Sequence, residues 1–93
     1  ALLSLGGVRI YCTHGHKFGV YYSLDRLYYR AREQEADIAL FGHTHRPLLD
    51  NNGGLILLNP GSVALPRGNH APTFALLEIK NGVAVPKIEY VYK

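Results

Sequence analysis

The chain has no methionine, no tryptophan and a single cysteine, Cys12. One thiol cannot close an internal disulfide, which excludes the cross-linked scaffolds of small secreted proteins and agrees with a reducing, cytoplasmic setting. Cys12 alternates with Val8 and Ile10, as a buried, inert thiol on one side of a strand would. No apolar run approaches the ~20 residues of a membrane span. The opening Ala1 to Leu5 lacks the basic leader and small-residue cleavage site of a secretory signal, and the missing initiator methionine points to further residues upstream. Charge of one sign is scarce as well. Ten basic against seven acidic residues leave a net +3, and no Lys or Arg stands beside another. That is not the basic footprint of a nucleic-acid binder, and most of the seven tyrosines fall where a core would use them.

What is present fits one small domain, residues 1–93, with a modest core: a chain of this size buries only somewhat more than ~60% of its unfolded surface. Leu2–Leu5 and Val8–Thr13 flank Gly6-Gly7 and read as a hairpin. From about Tyr21 to Glu35, Leu24, Leu27, Tyr28 and Ala31 recur at helical spacing, with Ser23 placed as N-cap and Asp25 in the first turn. Ile38–Phe41 is a short apolar run without alternation, expected of a strand covered on both faces. Pro47–Leu49 and Leu55–Leu58 flank the turn-rich string Asp50 to Gly54. Thr73–Ile79 and Val83 to about Tyr92 flank Asn81-Gly82, a strong hairpin signal. The reading is an α/β (α+β) chain, strand-rich with one main helix.

Four of the five histidines stand in two short clusters, Thr13-His14-Gly15-His16 and Gly42-His43-Thr44-His45. Each cluster begins where an apolar run stops. Imidazoles at i and i+2 on an extended backbone point to one side, and the adjoining glycine lets the chain turn sharply. Histidine is the commonest metal ligand, and neutral imidazoles suit Zn, Mn, Fe, Co or Ni rather than Ca or Mg. A lone histidine in a loop reads as an ordinary polar surface residue; two clustered pairs at strand ends favour a metal site built from His14, His43 and His45. Asn59-Pro60-Gly61-Ser62 reads as a tight turn beneath it, Pro60 presetting φ and Gly61 permitting the bend.

The order Thr-His-Gly-His, helix, apolar strand, Gly-His-Thr-His and Asn-Pro-Gly-Ser resembles the C-terminal half of the calcineurin-like metallophosphoesterases, the small bacterial phosphodiesterases in particular. The likeness runs from about Leu5 to Tyr90. It implies the C-terminal half of a four-layer αββα sandwich, two packed sheets with helices outside. It also implies that His14 and His43 ligate a second metal and His45 a first. The cofactors would be two divalent transition-metal ions, Mn foremost, with Zn, Fe, Ni or Co as others, serving hydrolysis of a phosphoester substrate, a phosphodiester in particular. His16 and Arg67 are the candidate substrate contacts. His16 lines the cleft or braces a neighbour, and Arg67 pairs with a phosphate or stays a solvated loop residue. No residue is assigned a catalytic role of its own. Gly68-Asn69-His70 mimics a family motif but follows Gly-His-Thr-His instead of preceding it, and is set aside.

The family's Asp-x-His, Gly-Asp and Gly-Asn-His-Asp/Glu motifs do not occur in the chain. Asp25, Asp37 and Asp50 fall on the helix, at a strand start and in a turn, so none replaces the bridging carboxylate. The chain is therefore expected to supply only part of a two-metal site and to be inactive alone. Its partner would be the missing N-terminal half of the domain, or a second copy across an uncovered apolar face. Alternatives are a non-catalytic interaction module of the same fold, as in the retromer subunit that resembles these enzymes, or a mononuclear metal-binding domain.

Overall fold

Gly6 and Gly7, both at positive φ (55° and 84°), fold Leu2–Leu5 (β1) back on Val8–Thr13 (β2) in register Leu5↔Val8. This hairpin begins the fold in the computed structural model, which describes residues 1–20, 23–62 and 71–91. A 3-10 turn at His16–Phe18 leads toward the helix Asp25–Glu33 (α1), which returns the chain to Ile38–Phe41 (β3). β3 runs parallel to β2, Thr13 opposite Phe41. Pro47–Asn52 (β4) and Leu55–Pro60 (β5) form a second hairpin, and β5 lies parallel to β3. The five strands are ordered β1-β2-β3-β5-β4. Thr73–Lys80 (β6) and Val83–Tyr90 (β7) make a separate antiparallel ribbon.

Alternation along the central strands divides their side chains between two cores. Ala39, Phe41, Leu55 and Leu57 face α1 and pack against Leu27, Ala31 and Val20. Val8, Ile10, Ile38 and Leu58 face the other way, against Ala75, Leu77, Ile79, Ala84 and Ile88 of the ribbon. The result is helix, sheet, ribbon: a mixed α/β architecture in which β3 is covered on both sides, as its unbroken apolar run requires. Fully burying a side chain such as Leu27 or Ile38 contributes roughly 1.5–3 kcal/mol. The ribbon's far side carries Phe74, Leu76, Val83 and Val85 in exposed positions, and β1 exposes Leu2, Leu3 and Leu5. No helix among the described residues is long and apolar enough to cross a membrane.

Three local expectations change. The helix is capped by Leu24 without a side-chain cap, although Ser23 Oγ does accept a hydrogen bond from the Asp25 amide at 3.1 Å. Asp50–Asn52 continue β4 because they pair with Leu57, Ile56 and Leu55, so only Gly53-Gly54 is left as the turn. Cys12 is half-buried rather than sealed in the core. Residues 21–22, Arg67, Asn69, His70 and Tyr92 lie outside the described residues, as does the His16 side chain.

The far end of the sheet is fixed by Arg9. Its guanidinium donates to the carbonyls of Glu35 and Gln34 at 3.1 and 2.9 Å, answering acceptors left over at the end of α1. Its backbone N–H donates to Asp37 Oδ2 at 2.9 Å. Asp37 is thus engaged at the start of β3, the opposite end from the histidines.

Candidate metal centre

Parallel strands bring their C-terminal ends to one edge of a sheet, where ligands commonly sit. β2, β3 and β5 end here at Thr13, Phe41 and Pro60. Because Thr13 lies opposite Phe41, the next residues in each chain, His14 and Gly42, leave the sheet side by side. The Gly42 amide donates to the His14 carbonyl at 3.1 Å and ties the two loops together. The imidazoles then meet across the loops. His14 Nε2 lies 3.1 Å from His43 Nδ1, with ring centroids 5.0 Å apart and planes at 69°. Beside them is a cavity of about 460 Å³ lined by Cys12, Thr13, His14, Gly42 and Pro60 among others.

The histidines that meet therefore come from different clusters, whereas spacing alone pairs them within each cluster. Neither cluster is extended. Gly15 turns at φ 104°, and His43 and His45 themselves adopt φ 73° and 58°. Left-handed backbone costs an L-residue roughly 1–2 kcal/mol, although histidine visits it more readily than most. Gly42 is not at positive φ, so the turn expected of that glycine is made by the two histidines flanking Thr44.

Thr44 is held from beneath. Asn59, fully buried near the end of β5, donates from Nδ2 to Thr44 Oγ1 at 2.9 Å and to the Gly42 carbonyl at 3.3 Å. Its Oδ1 accepts from the Gly61 amide at 2.9 Å, so all three hydrogen bonds engage one amide group. Thr44 Oγ1 also accepts from the Arg46 amide at 3.3 Å. Gly61, at φ 78°, has no room for a Cβ, which would collide with Thr73 Oγ1. Thr73 closes the turn by donating to the Pro60 carbonyl at 2.8 Å. The tight turn expected at Asn59–Ser62 is present, but the larger role of Asn59 was not read from sequence. A signal existed: Leu55, Leu57 and Asn59 share one face of β5, and an amide continuing a buried apolar row must find hydrogen-bond partners.

The chemistry of the donors fits a transition-metal ion. Two imidazole nitrogens on one ion, each ~2.0–2.1 Å from it, stand roughly 2.8–3.4 Å apart at angles of ~90–110°. The 3.1 Å between His14 and His43 falls within that range. No group of three or more His, Cys, Asp or Glu close enough to hold a metal occurs among the described residues, so His45 does not complete a triad with the other two.

Residues 1–82 match the calcineurin-like phosphoesterase superfamily domain. Among curated proteins, the chain is 40% identical over 83 residues to a probable metallophosphoesterase of Bacillus subtilis, YsnB, covering 89% of this chain and 49% of that protein. It is 34% identical over 70 residues to phosphodiesterase YfcE of Escherichia coli K12, covering 75% and 34%. Among solved structures, Vps29 of Entamoeba histolytica in complex with Zn²⁺ superposes with a TM-score of 0.78 at 27% identity, over 96% of this chain and 58% of the other. The chain spans about half the length of YsnB and a third of YfcE.

Proposed function

The chain belongs to the calcineurin-like phosphoesterase superfamily, and on that premise we propose that it supplies part of the divalent-metal site of a phosphodiesterase. The observation that carries this reading is the 3.1 Å approach of His14 Nε2 to His43 Nδ1. Those two imidazoles would hold one ion, and His45, which does not complete a triad with them, would serve the other. The ions are divalent transition metals, Mn foremost, with Zn, Fe, Ni or Co as alternatives. When bound, such ions make water a nucleophile at neutral pH and neutralise charge building on phosphoryl oxygens.

This chain's part is to bind and to orient. His14 and His43 present ring nitrogens from two loops tied by the Gly42–His14 backbone bond. His16 and Arg67 are the candidate substrate contacts, an imidazole able to line the cleft and a guanidinium able to pair with a phosphate. Asp37 is occupied by Arg9 at the far end of the sheet, and Asp25 and Asp50 lie on α1 and β4. Carboxylate ligands must then come from elsewhere in the protein, and the isolated 93 residues are inactive. The exposed Phe74, Leu76, Val83 and Val85 suit a covering layer from the rest of the domain or from a second copy.

With Mn²⁺ present, the full-length protein should hydrolyse an aryl phosphodiester, and His43→Ala or His45→Ala should abolish turnover. Unchanged rates would end the reading. The likeness to Vps29 favours one second reading, an interaction module that keeps the fold without chemistry. Metal uptake without any phosphoester turnover would favour it.

A further inference from the structure

We infer that Asn59 and Thr44 form a positioning pair: the buried Asn59 amide, acting through the Thr44 hydroxyl, holds the rings of His43 and His45 in their metal-ligating orientation. The inference rests on the metal-site reading and goes beyond it, because it gives Asn59 and Thr44 a role in placing the ligands and not in ligation.

The geometry of the loop requires such a device. Thr44 stands between two residues of left-handed backbone, His43 at φ 73° and His45 at φ 58°. Neither is glycine, so the loop does not adopt this path through lack of a Cβ. The path is imposed, and the restraint acts at the central residue. Thr44 is buried, its hydroxyl accepts from Asn59 Nδ2 at 2.9 Å, and the same oxygen accepts from the Arg46 amide just past His45. Asn59 Nδ2 also reaches the Gly42 carbonyl at 3.3 Å, just before His43. One amide thereby restrains the loop before the first ring and at the residue between the two. Through Thr44 Oγ1 it is linked to the residue after the second.

Asn59 is itself held on its other side. Its Oδ1 accepts from the Gly61 amide, and the turn that carries Gly61 is closed by Thr73. Burial makes the amide's identity matter. Nδ2 must donate twice and Oδ1 accept once, so aspartate in its place would set a carboxylate oxygen against the Gly42 carbonyl with no proton to offer. The Gly42 amide meanwhile holds the His14 carbonyl at 3.1 Å. Displacing the loop would therefore shift His43 relative to His14 and open the spacing on which shared ligation depends.

The test isolates the hydroxyl of Thr44. Mn²⁺ alone is titrated calorimetrically into the full-length protein and its Thr44→Val, Thr44→Ala and Thr44→Ser variants, with His43→Ala as control. Loss of the hydroxyl in Thr44→Val or Thr44→Ala should weaken binding by about 10–100-fold, and Thr44→Ser should restore it to within about threefold. In the metal-free protein, ring-nitrogen resonances report the His14–His43 hydrogen bond, which should be lost in Thr44→Val and retained in Thr44→Ser. Thr44→Ala keeps the test open if the valine variant fails to fold. A folded Thr44→Val or Thr44→Ala protein with unchanged Mn²⁺ affinity, or equal losses in the Val and Ser variants, would overturn the positioning role and leave the metal site standing. Equal Mn²⁺ binding by the parent and His43→Ala would remove the metal-site reading itself, and this inference with it.

Discussion

Two stretches of this chain carry a pair of left-handed residues for opposite reasons. Asn81 and Gly82, at φ 53° and 75°, close the exposed ribbon hairpin between β6 and β7. Asparagine and glycine adopt that conformation at little cost and match the twist of the strands they join. His43 and His45 have nearly the same φ, yet their side chains suit ligand binding and not a turn. At the hairpin, residue type selects the conformation. At the histidine loop, the same conformation is held by residues whose ring nitrogens we propose as ligands, around a Thr44 bonded to the buried Asn59 amide. The comparison teaches that local strain here marks the site, and that its restraint lies one layer beneath it.

The largest expected effect tests that lower layer. Gly61→Ala would force a Cβ into Thr73 Oγ1 at a positive φ and unseat the turn that holds Asn59. Urea unfolding should show a loss of about 3 kcal/mol or more; a loss under 1 kcal/mol would mean that the turn is pliable. A smaller effect tests the imposed backbone directly. His43→Gly and His43→Ala both lose the ring, but glycine relieves the left-handed conformation. The glycine variant should be the more stable by about 1 kcal/mol, the reverse of the usual order. The smallest effect belongs to the hairpin, where Asn81→Gly should alter stability by no more than a few tenths of a kcal/mol. Equal Gly and Ala variants at His43 would erase the contrast between the two stretches.

Local periodicity made much of the architecture legible. Leu24, Leu27, Tyr28 and Ala31 gave the inward stripe of the helix, Leu27 and Ala31 buried and Leu24 and Tyr28 half-buried, and both glycine turns of the outer hairpins sit where their dipeptides place them. Features decided by pairing between strands were not legible from local spacing alone. Asp50–Asn52 have turn-forming side chains but are strand residues because β5 offers them partners. The mutual approach of His14 and His43 depends on the parallel register of β2 and β3, which no spacing within either cluster encodes. Asn59 could be read as a buried amide in need of partners, but not which ones, because they lie 15 and 17 positions earlier in the chain.

The central claim, that His14 and His43 share one ion, is tested most directly by a double-mutant cycle read by Mn²⁺ titration of the full-length protein. Each of His14→Ala and His43→Ala should weaken binding at least about tenfold, and the double variant should bind no more weakly than the weaker single one, because the second removal acts on a site already broken. Losses that add as though the two rings served separate ions, or either single variant binding like the parent, would contradict it.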